Sequence, residues 1–176
     1  LRARIAALAA RAGRRLAAAG GARHLAAAGG ARPAVLTLEW LDPPMVGGLW
    51  MPELIDWAGG QALAARAGAP APTLSRAELA GLDPALVLLK PCGFDLARTL
   101  RELRDLPRLL PLEAWPAARL VVADGNAYFN RPGPRLVESL ELLLAALHPA
   151  CAPELRRAHA ASAVDVTPSL TLVPWA

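Results

Sequence analysis

The stretch Leu86-Val-Leu-Leu-Lys90-Pro-Cys-Gly-Phe94 decides the fold class of this 176-residue chain. A run of four aliphatic residues without alternation is typical of a strand buried on both faces of a sheet. Two further runs have the same character, Ala34–Trp40 before it and Arg119–Asp124 after it. Helical patterns follow the last two runs, at Phe94–Leu106 and from about Gly133 to Leu147. We therefore predict an α/β fold, a single Rossmann-like lobe with a parallel sheet covered on both faces.

Composition narrows the classes of function. The chain has the length of one ordinary domain, with 19 Lys and Arg, 15 Asp and Glu and a formal net charge of +4. The basic residues are spread along the chain without interleaved aromatics, which argues against a nucleic-acid interface. No uncharged apolar stretch has the eighteen or so residues that a membrane-spanning helix needs. Cys92 and Cys151 are interpreted as free thiols, so they do not indicate a compartment.

Three segments are expected along the chain. Residues 1–30 are predicted to form a helix, residues 31–149 the α/β lobe, and residues 150–176 a poorly ordered tail. Arginines at helical spacing interrupt the first segment, which favours an amphipathic helix over a secretory signal and leaves an organellar transit peptide as the alternative. The start at Leu1, in the middle of a helical pattern, leads us to expect a fragment of a longer product.

Local signals predict further boundaries within the lobe. Residues 41–48 are predicted to form a turn-rich loop, and Ser75 and Glu78 have the spacing of a capping box at a helix start. Pro107 is expected to end the helix that begins at Phe94.

The residues that follow the three strands are the candidate site, because ligands of open parallel sheets bind at the carboxyl ends of the strands. These segments are Glu39–Trp50, Pro91–Phe94 and Asp124–Arg131, and they carry two of the five tryptophans, the only tyrosine and both phenylalanines. We expect most of the aromatic area to lie at this edge, where flat rings suit a large, flat, partly apolar ligand. The alternative is that the rings cap the core at its rim.

The sequence supports a catalytic function less well than it supports ligand binding. Cys92 lies at a strand end before a helix, where the helix dipole is expected to lower a thiol pKa. A nucleophilic cysteine also needs a base, and the three histidines fall in helix or tail segments. Glu39 and Asp42 form a possible acid–base pair, although Asp42 before two prolines favours a turn. Because no paired Cys or His motif appears, we predict a binding module without a metal site or cofactor.

Arg131 and Arg135 flank the predicted start of the last helix. An arginine at a helix N-terminus suits an anionic or amide-rich ligand edge. The alternative is a solvated cap or a salt bridge to Glu138 or Glu141. Arg131 is included among the candidate ligand contacts.

Three strings together carry a family resemblance: LEWLDPPMVGGLWMPELIDWAGG at 38–60, LKPCGFDLART at 89–99 and VADGNAYFNRPGPRLVESLELLLAALHP at 122–149. They resemble the C-terminal lobe of the cobalamin-binding members of the class III (Fe/B12-type) periplasmic substrate-binding proteins of ABC transporters. The resemblance implies that residues 1–30 end a long interdomain helix, that a corrinoid is held between two lobes, and that an ABC permease and an N-terminal lobe are partners. It also implies a periplasmic location, which no feature of the sequence itself indicates.

The resemblance further implies which residues line this lobe's half of the cleft: Trp40, Gly47, Gly48, Leu49, Trp50, Cys92, Gly93, Phe94, Asn126, Tyr128 and Phe129. Two positions depart from the family pattern. Leu49 stands where members often have a histidine, so a polar or axial-ligand role is absent there. Ala77, followed by Glu78, stands where members often have the carboxylate that docks on the permease. The rival hypothesis is a degenerate Rossmann-like interaction domain with no small-molecule ligand.

Overall fold

The computed structural model describes residues 32–149 and 153–167, together with Ala7, Ala10 and Arg14. Apart from these three residues, the helix predicted over residues 1–30 lies outside the described part of the chain. The strands are β1 Ala34–Leu41, β2 Pro44–Val46, β3 Gln61–Ala62, β4 Leu86–Leu89, β5 Arg119–Ala123 and β6 Ala163–Asp165. The α-helices are α1 Met51–Trp57, α2 Arg76–Ala80, α3 Leu96–Glu102, α4 Leu106–Leu109, α5 Leu136–Leu147 and α6 Pro153–Ala158. Short 3₁₀ turns cover Leu103–Asp105 and Leu112–Ala114, and a π-helical turn covers Gly125–Phe129.

The predicted parallel sheet is confirmed. Its order is β2-β1-β4-β5-β6, and β3 pairs with the start of β1. Strand β4 is the central one and runs parallel to both neighbours, with Val87 opposite Leu36 of β1 and Leu120 of β5. All four residues of β4 are buried, as expected for an uninterrupted aliphatic run with helices on both faces.

Two cores cover the two faces of the sheet. On one face, Val35, Leu86 and Val121 pack against helices α1 and α5. On the other face, Leu36, Val87 and their neighbours pack against α2, α4 and Trp115. Because side chains alternate along a strand, successive residues lie on opposite faces, and β1, β4 and β5 each contribute to both cores.

Two segments predicted to lack regular structure, one loop and the C-terminal tail, contain strands. Residues 44–46, expected to be part of a turn-rich loop, form β2 and pair antiparallel with the end of β1, with Val46 opposite Leu38. The prediction of a poorly ordered tail is wrong over residues 153–167, where α6 and the antiparallel edge strand β6 form. Both strands have three residues, too few to show an alternating pattern. Residues 150–152 and 168–176 lie outside the described part of the chain.

Helix boundaries follow local signals in part. Ser75 and Glu78 form the predicted capping box of α2, and Gly81 is its C-cap. The helix predicted over Phe94–Leu106 begins later, at Leu96, because the Asp95 carboxylate accepts a hydrogen bond from Arg98 N at 2.7 Å and acts as N-cap. Pro107 was expected to end this helix. It lies instead in the first turn of α4, where a proline is tolerated.

A close backbone approach joins the ends of β4 and β5. A Cβ atom on Gly125 would lie 2.4 Å from the carbonyl oxygen of Pro91 and 2.5 Å from that of Lys90. These are backbone atoms, so a side chain at this position would force the two strand ends apart. Glycine at 125 therefore sets the distance between two of the loops that form the carboxyl ends of the sheet.

Gly125→Ala is expected to lower the free energy of unfolding by about 1–3 kcal/mol or more, because the added methyl group overpacks the strand ends. Gly133→Ala is the matched control, since a Cβ there meets nothing within 4 Å. Urea denaturation of both variants checks the prediction. Equal stability of the two variants would contradict the close approach.

Candidate ligand-binding site

The carboxyl edge of the sheet is defined here as residues 39–42, 47–50, 90–94 and 124–131. These segments follow or flank the ends of β1, β4 and β5. Backbone hydrogen bonds join three of them, 39–42, 90–94 and 124–131: Cys92 N donates to Glu39 O at 2.8 Å, and Asn126 N donates to Phe94 O at 3.1 Å. The prediction that the segments after the three strands come together is therefore correct in its geometry.

A buried ion pair lies under this edge. The Lys90 side chain is 0% exposed, and its Nζ lies 3.0 Å from Oε2 of Glu39, whose side chain is 22% exposed. Burial lowers the pKa of Lys90, and the Glu39 carboxylate acts against that effect. Glu39 is thus the counter-ion of a buried ammonium, which accounts for it without the predicted acid–base pairing with Asp42. Asp42 lies in the turn between β1 and β2, as its sequence context favoured.

Cys92 is exposed and lies beside this pair. The expected lowering of its pKa by a helix dipole is not found. Partial desolvation of the thiol raises the pKa of Cys92, and the Glu39 carboxylate adds to the rise, while the Lys90 ammonium acts in the opposite direction. A thiol with a raised pKa is a poor nucleophile at neutral pH.

An aromatic pair with a cation forms the apolar centre of the edge. Trp40 is 38% exposed and meets Phe94 edge to face, with ring centroids 5.7 Å apart. The guanidinium carbon of Arg98 lies 3.6 Å from the centroid of the Phe94 ring, which is cation–π geometry. The indole Nε1 of Trp40 donates to Asp42 O at 2.9 Å, so the ring is fixed in orientation. Together these residues present an apolar ring beside a fixed positive charge.

The turn between β2 and α1 forms a second part of the edge. Gly47 and Gly48 are buried, and neither has room for a Cβ atom: it would meet Thr37 Oγ1 at 2.5 Å or Ala71 N at 2.4 Å. Leu49 is 47% exposed, whereas Trp50 is partly buried against the core that contains α1 and α5. The glycines therefore shape the turn, and Leu49 is the side chain that it presents to solvent.

The π-helical turn after β5 divides its residues between surface and core. The Asp124 carboxylate accepts a hydrogen bond from Ala127 N at 2.7 Å and caps the turn. Asn126 is exposed, and Tyr128 is half-buried with its hydroxyl accepting from Ser162 Oγ at 3.1 Å. Phe129 is 1% exposed and belongs to the core, so it is not available for ligand contact.

The aromatic residues are thus less concentrated at the surface than the sequence predicted. Phe94 and Trp115 are also buried, and Trp57 packs against the core. The surface rings of the predicted set are Trp40, which is exposed, and Trp50 and Tyr128, which are partly buried. The edge keeps an apolar centre, but part of its aromatic area supports the core, as the rim-capping alternative held.

Basic side chains border the turn after β5. Arg131 and Gly93 are exposed. Arg135 donates from Nη1 to Ala127 O at 3.2 Å, and its guanidinium carbon lies 5.8 Å from the centroid of the Tyr128 ring. Arg135 is therefore held against the turn, and Arg131 lies four residues before it in the sequence.

Two residues, Lys90 within this edge and Arg98 beside it, were missed from the sequence. Lys90 is the chain's only lysine among 19 Lys and Arg residues, and its position directly after an aliphatic strand signals a special environment. Arg98 gave no such signal, because the stacking on Phe94 depends on the start of α3.

Cavities lie on both sides of the sheet. One of about 430 Å³ adjoins the carboxyl edge and is lined by Trp40, Leu41, Asp42, Pro91, Phe94, Glu102, Asp105, Arg108 and Leu109. A larger one of about 560 Å³ lies between α5, α6 and β6. Some of its lining side chains have partners: Arg119 pairs with Asp165 at 2.7 Å, and His159 meets Glu141 at 3.2 Å. The carboxyl edge is the better candidate for a ligand, because ligands of open parallel sheets bind at the carboxyl ends of the strands.

Within residues 32–149 and 153–167, no group of three or more His, Cys, Asp and Glu side chains is arranged to hold a metal ion. No helix in the same part of the chain has the length and apolar character needed to span a membrane. The carboxyl edge offers an apolar ring, a projecting leucine and basic side chains at its border. Such a surface can bind a large, flat, partly apolar molecule that has polar groups on its periphery.

No protein-family model matches the chain, and no curated protein matches its sequence. Among solved structures, it is similar to a periplasmic heme binding protein from Pseudomonas aeruginosa, with a TM-score of 0.61 and 25% identity over 82% of this chain and 50% of that one. It is also similar to the periplasmic heme-binding protein RhuT from Roseiflexus sp. RS-1, with a TM-score of 0.54 and 28% identity over 82% of this chain and 55% of that one.

A third solved structure is the periplasmic vitamin B12 binding protein BtuF of Vibrio cholerae, with a TM-score of 0.54 and 15% identity over 85% of this chain and 51% of that one. At this identity the likeness shows the fold alone. The chain spans about half the length of these three proteins. The described residues thus have the fold of a Rossmann-like lobe of periplasmic binding proteins.

Glu39→Gln is expected to lower the free energy of unfolding by about 3 kcal/mol, because it leaves the buried Lys90 ammonium without its counter-charge. We take the low end of the usual range because solvent reaches Glu39. The double variant Glu39→Gln with Lys90→Met is the control, and it should recover most of the loss. Urea denaturation at neutral pH measures both. A Glu39→Gln variant as stable as the wild type would rule out a structural role for the pair.

Lys90 also makes stability depend on pH. Its pKa is lowered in the folded state, so the unfolded chain binds more protons between the folded pKa and the ordinary value of 10.5. The free energy of unfolding therefore rises with pH across that window. We expect the wild type to gain stability relative to Lys90→Met as pH is raised toward 10.5, measured by urea denaturation at a series of pH values. A difference that is flat in pH would show that burial does not shift this group.

Proposed function

We propose that this chain is a lobe of a substrate-binding protein that serves an ABC transporter and holds a large, flat tetrapyrrole at the carboxyl edge of its sheet. The observation that carries the proposal is the exposed Trp40 ring, packed on Phe94 with Arg98 stacked behind it, on a lobe of this fold. An exposed tryptophan held in a fixed orientation is costly to leave in water and suits a planar apolar surface. Arginines beside it suit the polar groups on the ring's periphery.

Within the tetrapyrroles, the proposal names a corrinoid first and haem second. The sequence strings around Trp40, Cys92 and Asn126 resemble the cobalamin-binding proteins. The two solved structures with 25% and 28% identity are those of heme-binding proteins, and this observation favours haem as the second candidate. Arg98 and Arg131 suit either ligand, because a guanidinium donates hydrogen bonds to amide oxygens and phosphate as well as to carboxylates.

The set of contacts that we propose follows from exposure. It contains the exposed or half-exposed members of the predicted set, to which Arg98 is added and from which Phe94 and Phe129 are removed because both are buried. Gly47, Gly48 and Gly93 contribute backbone shape rather than side chains. The side chains are Trp40, Leu49, Trp50, Cys92, Arg98, Asn126, Tyr128 and Arg131.

The proposed partners are a facing lobe and a membrane permease. A single edge contacts one side of a planar ligand, so a second lobe over the other side would enlarge the buried area and the affinity. The lobe alone is then a weak binder, and we expect dissociation constants in the micromolar range. The proposed role is binding, without catalysis: the Cys92 thiol, the clearest candidate nucleophile, has a raised pKa.

The test is a titration of the purified chain with cyanocobalamin and with hemin in separate equilibrium-dialysis experiments. Trp40→Ala is expected to weaken binding of the true ligand by about tenfold or more, since buried aromatics dominate binding energy. Val164→Ala is the matched control, because Val164 is 37% exposed and lies on β6, which β4 and β5 separate from β1 and Trp40.

Saturable binding of one ring that is lost in Trp40→Ala and kept in Val164→Ala would support the proposal and identify the ligand. Binding that both variants retain would place the ligand elsewhere. A wild-type chain that binds neither ring at high micromolar concentration would overturn the proposal and favour an interaction domain without a small-molecule ligand.

A further inference from the structure

Leu49 has a backbone conformation that leucine rarely adopts. Its φ is +53°, in the left-handed region that favours glycine and, among other residues, asparagine. Apart from glycines, the only other described residue with positive φ is Ala64. A bulky residue in this region persists only where the surrounding structure determines the backbone.

The loop that contains Gly68 and Ala69 holds the backbone of Leu49 in this conformation. Leu49 N donates to Ala69 O at 2.7 Å, and Leu49 O accepts from Gly68 N at 2.8 Å. Both backbone polar groups of Leu49 are thus bound by one loop. Gly48 packs so closely on the same loop that a Cβ atom there would lie 2.4 Å from Ala71 N. The turn is held from one side along its length, and the direction of the Leu49 side chain is fixed with it.

The side chain itself contributes little to the fold. Leu49 is 47% exposed, the highest value among the exposed large apolar side chains in the described residues, which also include Trp40 and Val164. A solitary exposed leucine is ordinary on a protein surface. An exposed leucine with a strained and firmly held backbone is unusual. Glycine or asparagine would adopt this turn with less strain and without exposing an apolar side chain.

We propose that Leu49 determines specificity: it is an apolar contact, held rigidly, on which the face of the bound ring packs. The inference rests on the proposed function and adds to it the part of the ligand that this turn recognises. A leucine offers neither a hydrogen bond nor a metal bond. Position 49 therefore selects the apolar ring surface and makes no distinction between a ring with a central metal and one without.

Leu49→Asn is the decisive variant. Asparagine is nearly the same size and tolerates positive φ, so the turn is expected to keep its stability or gain some. Affinity for the ring is expected to fall about tenfold, because the apolar contact is replaced by a polar group. Leu49→Gly is the second variant, which removes the side chain and relieves the backbone, and it should weaken binding to a similar extent. Thermal unfolding of each variant verifies the fold.

The ligands are hemin and metal-free protoporphyrin IX, with cyanocobalamin if that is the ring that the wild type binds. Loss of affinity in both Leu49 variants with unchanged thermal stability, by the same factor for the two porphyrins where these bind, is the expected result. Val164→Asn, a polar change at an exposed apolar position on β6, should leave affinity unchanged.

Two results separate this inference from the function on which it rests. If the wild type binds a ring and both Leu49 variants bind it equally well, the inference is wrong and the proposed function stands. If the wild type binds no ring, the proposed function fails and the inference falls with it.

Discussion

The structure depends on one constraint, the complete burial of strand β4. Its four residues have apolar neighbours on both faces, so water cannot reach its backbone, and every peptide group must find a partner in β1 or β5. Parallel pairing on both sides brings the carboxyl ends of three strands to one line. Everything that follows those strands is therefore gathered at one edge, whatever the loops contain. The position of the candidate site is therefore a consequence of the backbone hydrogen bonding of the central strand.

The same constraint explains the buried ion pair. Lys90 continues the line of β4 directly into the layer between sheet and loops, where its ammonium is cut off from solvent. Glu39 occupies the neighbouring strand two residues before its end, and its carboxylate reaches the ammonium while staying in partial contact with water. The pair ties the ends of β1 and β4 together beneath the loops. Trp40, the next residue, alternates to the opposite side of the strand and joins the exposed edge.

The sequence predicted the elements that have long patterns and missed those that depend on pairing. The aliphatic runs of β1, β4 and β5 and the capping box at Ser75 were correctly identified, because each signal is local. Strands β2 and β6 have three residues each and are stabilised by pairing with a neighbouring strand. They are too short to show a periodic pattern in the sequence. For the candidate site, too, the sequence predicted what depends on a local pattern and missed what depends on tertiary packing. Its location came from the rule for parallel sheets, whereas the burial of Phe129 and the stacking of Arg98 on Phe94 depend on how loops settle against helices, which spacing does not report.

The short strands at the two borders of the sheet have a consequence for self-association. A long, flat border strand offers a row of free peptide groups on which another molecule can build, which leads to aggregates and fibrils. Here one border is divided between β2, which begins with Pro44 and so lacks one donor, and the two-residue β3, and the opposite border is the three-residue β6 with a charged end at Asp165. Each offers too short a template for stacking. A strongly aliphatic sheet is thus protected against templated growth at the borders of its described strands by brevity, proline and charge.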